Sequence, residues 1–343
     1  MKKLFKSPTF IAEISANHNG SLINAKKLIK DAKKYGADYV KLQTYTPNTM
    51  TLNSKKKDFV ISKGLWKKTS LWDLYEKAQT PFEWQKKLFD YAAKIKIRCF
   101  STPFDETAVN LLEKLNCPIY KIASFEMNHI PLIEKVAKTR KPMIISTGMA
   151  NIEEIDLAYE TALRYGAKEI ILLYCVSNYP ARSEDFNLNN INILKKRYNC
   201  RVGFSDHSVN NSIAKAALAA GAEIFEKHIA LKNIKGADYK FSLKGYEIFK
   251  YAKDLKETQL LLGKNTFYRN FSERNYRKYR RSIYTLKSIK KGEKFKKDNI
   301  TIVRPGFGLQ PKYFKKILNK RSPFSIRKFQ KIPNNFAKKL KLT

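Results

Sequence analysis

The sequence predicts a (β/α)8 barrel followed by a small β-rich domain. Short apolar runs alternate with amphipathic helical stretches, eight such runs occur over about 250 residues, and the alternation stops after Leu262. The chain has 343 residues, which is enough for one large and one small domain. The main alternative is a doubly wound open sheet, but no GxGxxG motif follows the first run.

Eight runs are predicted to be strands because they are nearly continuous in apolar residues, as in a parallel sheet buried on both faces. They are Thr9–Ala16, Asp38–Tyr45, Ile97–Pro103, Ile119–Phe125, Pro142–Thr147, Glu169–Ser177, Arg201–Asp206 and Glu223–His228. Amphipathic helices are predicted between them, among others at Ala25–Tyr35, Pro81–Ala93, Ala108–Leu115, Ile130–Lys138 and Ile152–Tyr165. Asn151 and Glu154 have the spacing of a capping box, which predicts the start of the last of these helices.

The change of pattern predicts the domain organisation. Residues 1–263 form the barrel, 264–279 a linker rich in Arg and poor in aliphatic residues, and 280–343 a second domain. Short β-like runs in the second domain are Ser282–Leu286, Asn299–Val303 and Arg321–Ile326. The irregular segment Met50–Thr80 is long for a loop inside a compact domain, which indicates a functional role.

The composition is strongly basic, with 68 Lys+Arg, 30 Asp+Glu and a net charge of +38. This charge raises a non-enzymatic alternative, a basic nucleic-acid-binding protein. However, Lys outnumbers Arg about four to one and occurs along the whole chain, whereas nucleic-acid binders concentrate basic residues, Arg especially, in one stripe. We therefore expect no nucleic-acid partner, and a solvated surface that attracts anionic substrates over long distances.

Cysteine usage and hydropathy predict a cytoplasmic protein. The cysteines Cys99, Cys117, Cys175 and Cys200 form neither a CxxC pair nor a disulfide framework, which is typical of a reducing compartment. No apolar run approaches the roughly 18 residues of a membrane span, so no membrane partner is expected. The basic start of the chain leads directly into the first strand, without the apolar core of a signal peptide.

Polar residues occur at the end of every predicted strand, where a barrel collects its functional groups. They are Glu13 and Asn17; Lys41 and Gln43; Ser101 and Thr102; Lys121, Ser124 and Glu126; Ser146 and Thr147; Ser177 and Asn178; Asp206 and His207; and Glu226 and His228. A purely structural sheet does not need this pattern at all eight ends.

Two histidines, His207 and His228, end adjacent strands, which lie about 4.8 Å apart. Both imidazoles can therefore reach one divalent ion, and two His ligands with open positions suit Mn, Co, Fe or Zn better than Ca. A structural role for the pair stays open as the alternative. His18 is expected to make local hydrogen bonds in a loop, and His129 to begin a helix.

A set of lysines and hydroxyls predicts a phosphate or carboxylate site. Its members are Lys41, Lys121, Thr102, Ser124, Ser146 and Ser205. Buried lysines are costly without partners, so these two must meet either an anionic ligand or carboxylates such as Glu13 and Glu126. Both interpretations stay open. Tyr179 and Asp238 are weaker signals because their surroundings are common loop sequences.

Eight motifs together resemble the sialic acid synthase family. They are FIAEISANHNG (10–20), KLQTYT (41–46), FSTPFD (100–105), KIASFE (121–126), STGMA (146–150), GFSDH (203–207), EKH (226–228) and RPGFGL (304–309). The match covers essentially the whole chain, and the Ser-Phe-Glu and tail motifs resemble the pseudaminic acid synthase branch. The resemblance implies a (β/α)8 barrel with a C-terminal antifreeze-like (SAF) domain, in a domain-swapped homodimer where that domain caps the partner's active site.

The resemblance also implies a reaction. Phosphoenolpyruvate would condense with 2,4-diacetamido-2,4,6-trideoxy-L-altrose and water to give pseudaminic acid and phosphate by C–O cleavage. A divalent metal (Mn, Mg or Co) on His207 and His228 would assist it. The implied phosphoenolpyruvate ligands are Lys41, Thr102, Lys121, Ser124, Ser146 and Ser205, with Ser177 added to the substrate set; the implied sugar ligands are Gln43, Glu126, Tyr179, Asp238 and Arg304. Glu13 and Glu126 join the two histidines as catalytic candidates, without a choice between acid and base.

One segment departs from the family pattern. Residues 231–243 keep Asp238 but lack the Arg and Gly-Gly that often precede it, which affects the sugar contacts of this loop. Phe125 has two interpretations: an apolar ring for the C6 methyl of a 6-deoxy sugar, or a packing contact on the fifth strand. N-acetylneuraminate or legionaminate synthase stays open as the enzymatic alternative.

Overall fold

The computed structural model describes residues 5–64, 66–177, 181–264 and 266–342. The chain divides into two compact units, Met1–Gly263 and Lys264–Thr343. Within the described ranges, none of the helices combines the length and apolarity that a membrane crossing requires.

The described part of the first unit forms a closed barrel of eight parallel strands. Each strand pairs with the next one along the chain, and the eighth pairs with the first. The strands are β1 Thr9–Glu13, β2 Tyr39–Thr44, β3 Arg98–Pro103, β4 Tyr120–Ile122, β5 Met143–Ser146, β6 Ile170–Cys175, β7 Arg201–Asp206 and β8 Ile224–Ala230, with a short β9 (Leu243–Lys244) beside the end of β8. The predicted (β/α)8 barrel is confirmed.

Helices alternate with the strands along the chain. They are α1 Leu22–Lys34, α2 Pro47–Met50, α3 Leu71–Ala78, α4 Phe82–Lys94, α5 Glu106–Lys114, α6 Ile130–Ala137, α7 Ile152–Arg164, α8 Asn190–Tyr198, α9 Asn211–Ala219 and α10 Tyr246–Leu262. Helix α7 begins at the predicted capping box, where the Asn151 side chain accepts from the Glu154 N–H at 2.8 Å and the Glu154 carboxylate accepts from the Asn151 N–H at 2.9 Å.

Strand register decides which side chains enter the barrel. Glu13 lies opposite Lys41 on β2 and opposite His228 on β8, and Ser205 lies opposite Glu226. Register partners in a parallel pair share a face, and side chains alternate along each strand. One set of alternating positions therefore fills the lumen, while the other packs against the helices in a single apolar core.

In the first unit, three segments differ most from the sequence prediction. Strand β4 ends at Ile122 rather than Phe125, because a 3-10 turn occupies Ser124–Glu126. Strand β1 ends at Glu13 and is followed by a 3-10 turn, Ser15–His18. The segment 50–80 is not irregular throughout, because it contains α3, with the Ser70 hydroxyl accepting from the N–H of Asp73 at the start of that helix.

The second unit has its own apolar core, which includes Ile283, Phe295 and Phe336. Its strands β10 (Ser282–Thr285) and β11 (Ile300–Val303) pair antiparallel. The third predicted run is not a strand in the structure, since Arg321 and Ile326 make only isolated bridges. The remaining helices are α11 Phe271–Asn275, within the segment predicted to be a linker, α12 Phe314–Ile317 and α13 Phe336–Lys339.

One buried ion pair lies on the outer face of the barrel. Lys227 Nζ is 3.2 Å from Asp206 Oδ1, and both side chains are at most 2% exposed. Lys227 directly follows the lumen-facing Glu226, and Asp206 directly follows the lumen-facing Ser205. Because side chains alternate along a strand, Lys227 and Asp206 point away from the lumen. Asp206, one of the strand-end polar residues, therefore serves the packing of β7 on β8.

We predict that Lys227→Met lowers the free energy of unfolding by about 3–5 kcal/mol, because it leaves Asp206 buried without its cation. Lys86→Met, which breaks an exposed pair with Asp90 (side chains 72% and 63% exposed), should cost less than about 1 kcal/mol. Urea denaturation of both variants measures the difference. Equal losses of unfolding free energy in the two variants would show that the buried Lys227–Asp206 pair contributes no more to stability than an exposed pair.

Candidate active site

Four charged side chains meet in the lumen of the barrel. Lys41 Nζ lies 2.6 Å from Glu13 Oε2 and 3.2 Å from Glu226 Oε2, and Lys121 Nζ lies 3.1 Å from Glu226 Oε1. Strand β8 is a neighbour of neither β2 nor β4, so the contacts of Glu226 cross the barrel interior. All four residues are buried. We call them the ionic hub.

The hub is balanced in charge. Burial alone would lower the pKa of Lys41, but the carboxylates of Glu13 and Glu226 raise it above its ordinary value. Burial would raise the pKa of Glu226, yet Lys121 and Lys41 hold it far below its usual range. Burial lowers the pKa of Lys121, against the attraction of Glu226. Two ammonium groups thus face two carboxylates.

The sequence left open whether the lysines meet carboxylates or a ligand, and the structure shows the carboxylates. The partner of Lys121 is Glu226 rather than Glu126. Glu226 also accepts a hydrogen bond from the Ser205 hydroxyl at 3.2 Å. Glu226 is therefore a central residue of the site. The strand-end pattern includes it but assigns it no role of its own.

Two buried hydroxyls in the lumen lack a hydrogen-bond partner among the described residues. They belong to Thr102 and Ser146. Thr102 lies opposite Gln43 on β2. Ser146 lies two positions beyond Ile144, which is opposite Lys121, so it shares the lumen face with Lys121. A buried polar atom without a partner costs about 1–3 kcal/mol. Oxygen atoms of an anionic ligand would satisfy both hydroxyls, so the site can hold a ligand beside the balanced hub.

Ser124 and Ser177, both predicted substrate ligands, lie on either side of the Cys175 thiol. Cys175 Sγ is 3.0 Å from Ser124 Oγ and 3.9 Å from Ser177 Oγ, and the Gly148 N–H donates to Ser124 Oγ at 3.2 Å. A Cβ on Gly148 would lie 2.2 Å from Ser177 Oγ, 2.7 Å from Cys175 Sγ and 2.8 Å from Ser124 Oγ, so a larger residue would displace these three side chains. Burial raises the pKa of Cys175, which keeps it a neutral thiol.

Glu126 stands at the rim of the site in the 3-10 turn after β4. Its Oε2 atom is buried and makes no hydrogen bond within the described ranges. Burial raises its pKa from 4.5 to about 7, although Lys121 opposes the shift. The neighbouring Phe125 is 63% exposed, so its interpretation as a packing contact on the fifth strand is wrong.

The two histidines at the ends of β7 and β8 come together as predicted. The ring centres of His207 and His228 are 5.6 Å apart, and the Phe241 ring stands edge-on to both. His207 Nδ1 lies 3.2 Å from the Val176 carbonyl oxygen, and His228 Nδ1 lies 3.5 Å from Asp238 Oδ2. Burial and the nearby His228 lower the pKa of His207 to about 3, so its ring is neutral.

The geometry of this pair fits one divalent ion. An ion about 2.1 Å from a ring nitrogen lies about 3 Å from the ring centre, so two rings on one ion have centres up to about 6 Å apart. The Val176 carbonyl accepts from Nδ1–H of His207, which leaves the lone pair on Nε2, the form that ligates metals. No cluster of three or more His, Cys, Asp or Glu forms a metal cage in the described part of the chain. The pair would leave several coordination positions open.

The other predicted site residues lie in different places. Gln43 is half-buried, two positions beyond Lys41 on the same face of β2. Tyr179 lies outside the described residues. Arg304 belongs to the second unit, where it is exposed directly after β11.

Of the two remaining histidines, His18 makes the local hydrogen bond expected from the sequence and one distant contact besides, and His129 precedes a helix as expected. His18 is buried, with Nε2 3.2 Å from the Thr80 hydroxyl and Nδ1 accepting from the Gly20 N–H at 3.1 Å. His129 is exposed and directly precedes helix α6.

The fold and the site together define a (β/α)8-barrel enzyme with its polar site at the carboxyl ends of the strands. The chain belongs to the NeuB family, whose model matches residues 28–267, and residues 280–328 match the SAF domain. It is a synthase of this family. The predicted family resemblance and the predicted SAF domain are confirmed.

Known relatives resemble the chain over most of its length. The pseudaminic acid synthase of Campylobacter jejuni is 43% identical, covering 95% of this chain and 94% of its own. The N,N'-diacetyllegionaminic acid synthase of the same species is 37% identical, covering 92% and 96%. A crystal structure of N-acetylneuraminic acid synthetase from Leptospira borgpetersenii, in complex with citrate, aligns with a TM-score of 0.70 at 30% identity, covering 78% and 90%.

The raised pKa of Glu126 predicts a stability difference that depends on pH. Folding favours the protonated form, so the contribution of Glu126 to wild-type stability falls as pH rises from 4.5 to about 7 and then levels off. Glu126→Gln stays neutral and lacks this loss, so its melting temperature relative to wild type should rise across that window, by the equivalent of about 2 kcal/mol.

Thermal unfolding at pH 5 and pH 8 measures this difference without any substrate. The exposed Glu257→Gln on α10 is the matched control and should follow the wild type at both values. If Glu126→Gln behaves like that control, the Glu126 carboxyl does not titrate near neutral pH.

Proposed function

We propose that the chain is a pseudaminic acid synthase, which condenses phosphoenolpyruvate with 2,4-diacetamido-2,4,6-trideoxy-L-altrose and water. The enol carbon forms a bond to the sugar aldehyde carbon, water adds to the neighbouring carbon, and phosphate leaves by C–O cleavage. The observation that carries the proposal is the lumen site, where Lys41 and Lys121 lie buried beside the partnerless hydroxyls of Thr102 and Ser146. The 43% identity to a pseudaminic acid synthase supports this choice.

Phosphoenolpyruvate is assigned to the hub end of the site. Its ligands would be Lys41, Lys121, Thr102, Ser124, Ser146, Ser177 and Ser205. Ammonium and hydroxyl groups suit both its phosphate and its carboxylate. Because Glu13 and Glu226 already balance the two lysines, an anionic ligand brings uncompensated negative charge into the lumen. Further positive charge is needed nearby.

The histidine pair lies where that charge would be useful. His207 and His228 would hold a divalent ion such as Mn, Mg or Co, which when bound supplies positive charge and polarises the aldehyde oxygen as a Lewis acid. Glu13 lies opposite both Lys41 and His228 in the strand register, a position from which it can orient water or pass a proton.

The sugar is assigned to the rim, with Gln43, Glu126, Tyr179 and Asp238 as its ligands. With a pKa of about 7, Glu126 can hold or release a proton under neutral conditions. The exposed Phe125 ring offers an apolar surface to the C6 methyl of a 6-deoxy sugar. We also propose that the protein is a domain-swapped homodimer in which Arg304 reaches the acyl group of the sugar bound by the partner.

Phosphate release with a panel of sugars tests the proposal. With phosphoenolpyruvate and Mn²⁺, the altrose derivative should be turned over at least about tenfold faster than N-acetylmannosamine or the legionaminate precursor, a difference of about 1.4 kcal/mol in transition-state binding. Faster release with either competitor would instead support the N-acetylneuraminate or legionaminate alternative. No release with any sugar would contradict the synthase proposal altogether.

A lysine pair controls this assay. Lys121→Met should abolish phosphate release, because it removes one cation and leaves Glu226 short of a partner. The exposed Lys56→Met should behave as the wild type.

Variants of the histidines test the metal site. Loss of a residue that only supports a metal ligand weakens metal binding by roughly 10- to 100-fold. His207→Ala and His228→Ala each remove a ligand itself, so each should weaken Mn²⁺ binding by more than that and should abolish turnover. Calorimetric titration with Mn²⁺ measures binding independently of activity. His129→Ala, an exposed histidine, is the control and should bind and react normally. Near-normal turnover of either site variant without added metal would remove the metal from the proposal.

A further inference from the structure

Asn17 connects two loops that are far apart in the sequence. It lies in the 3-10 turn after β1 and is completely buried. Its Nδ2 donates to the Ile229 carbonyl oxygen at 2.9 Å and to Ser242 Oγ at 2.8 Å, and its Oδ1 accepts from the Asp238 N–H at 3.2 Å. One side chain therefore binds the end of β8 and two points of the segment 231–242, which we call the Asp238 loop.

The Asp238 loop also packs directly on the backbone around Asn17. A Cβ on Gly236 would lie 2.5 Å from Asn17 Cα, 2.7 Å from Asn17 Oδ1 and 2.9 Å from the Ala16 carbonyl oxygen. Real Cβ contacts are essentially never that short, and a backbone oxygen cannot easily move aside. Gly236 therefore permits the close approach that the hydrogen bonds of Asn17 require.

These contacts fix the backbone on both sides of Asp238. The Ser242 hydroxyl, held by Asn17, donates to the Asp238 carbonyl oxygen at 2.6 Å. The N–H of Asp238 is bound by Asn17 itself. The Asp238 carboxylate then lies 3.5 Å from His228 Nδ1. Both amide hydrogens of Asn17 are used within the protein, so the side chain has no donor left for a substrate.

We propose that Asn17 is a positioning residue that holds the Asp238 loop, and with it the Asp238 carboxylate, against the rim of the site. Removing the amide leaves three buried groups short of a hydrogen bond, so the loop separates from β1 more readily. The consequence for sugar binding rests on the proposed function, in which Asp238 is a sugar ligand. The consequence for the loop itself does not.

Hydrogen exchange of Asn17→Ala without substrates tests the loop directly. The amides of residues 231–242, that of Asp238 above all, should exchange at least about tenfold faster than in the wild type, as expected when local opening becomes easier. The strands on the far side of the barrel should keep wild-type rates. Unchanged exchange in 231–242, or the same acceleration throughout the barrel, would overturn the proposal.

Steady-state kinetics test the consequence for the site. In Asn17→Ala the KM for the sugar should rise about tenfold, while the KM for phosphoenolpyruvate stays within about twofold, because the hub does not involve this loop. A merely structural defect would lower the amount of active enzyme and leave both KM values unchanged, and that result would overturn the role of Asn17 in positioning Asp238.

Two further variants complete the experiment. Ser242→Ala removes only part of the contact, so it should shift loop exchange in the same direction by a smaller amount; it decides the question if Asn17→Ala does not fold. Asn299→Ala is the matched control, a buried asparagine in the second unit with hydrogen bonds to Lys296 N and Lys294 O. It should leave loop exchange unchanged. If the wild type is inactive with every sugar, the proposed function fails while the exchange data still decide the role of Asn17.

Discussion

The rest of the site depends on the electrostatic balance of four buried charges. Lys41 and Lys121 can lie inside a barrel only because Glu13 and Glu226 lie within ion-pair distance of them. Glu226 is the critical member, since it is in contact with both ammonium groups and with the Ser205 hydroxyl. The strand register fixes this arrangement, because a shift of one residue would send every member to the outer face.

The balance divides the site into two parts with different chemistry. Within the hub, each ionisable group is close to an opposite charge, and Glu226 stays ionised despite burial. At the rim, burial dominates: the pKa of Glu126 rises to about 7 and that of His207 falls to about 3. Charge is therefore fixed where the proposed function places an anion, whereas the groups proposed to exchange protons or ligate a cation lie beside it. A neutral hub does not attract an anion strongly by itself, which is why the proposed function also assigns ligand roles to the partnerless hydroxyls and the histidine pair.

The sequence predicts the barrel and much of the site because both follow from local pattern. Buried parallel strands are nearly continuous in apolar residues, and alternation along a strand shows which polar ends face the lumen, as with Lys41, Ser205 and His228. Partner choice across the lumen is not local. That Lys121 pairs with Glu226 and not with Glu126 depends on barrel closure and on the 3-10 turn after β4. The sequence singles out Asn17 only as a strand-end polar residue, and its role is not predicted for the same reason, since its partners lie more than 200 residues away.

The distribution of charge along the chain adds a longer-range effect. Residues 264–343 contain 25 Lys+Arg and 3 Asp+Glu, so fewer than a quarter of the residues carry more than half of the net charge of +38. Eight of the 14 arginines fall there as well, so the basic residues, Arg especially, are spread less evenly than the sequence argument against a nucleic-acid partner assumed. An excess of this size attracts small anions over about a Debye length, 8–10 Å at physiological salt, and the attraction weakens as salt is added. This long-range field does not strengthen the binding of an anion at the neutral hub. It raises the rate at which anions reach the protein. Long-range attraction is thus due to exposed cations, which are concentrated in the second unit. Under the proposed function, short-range selection is due to different residues, the buried and internally balanced groups in the barrel.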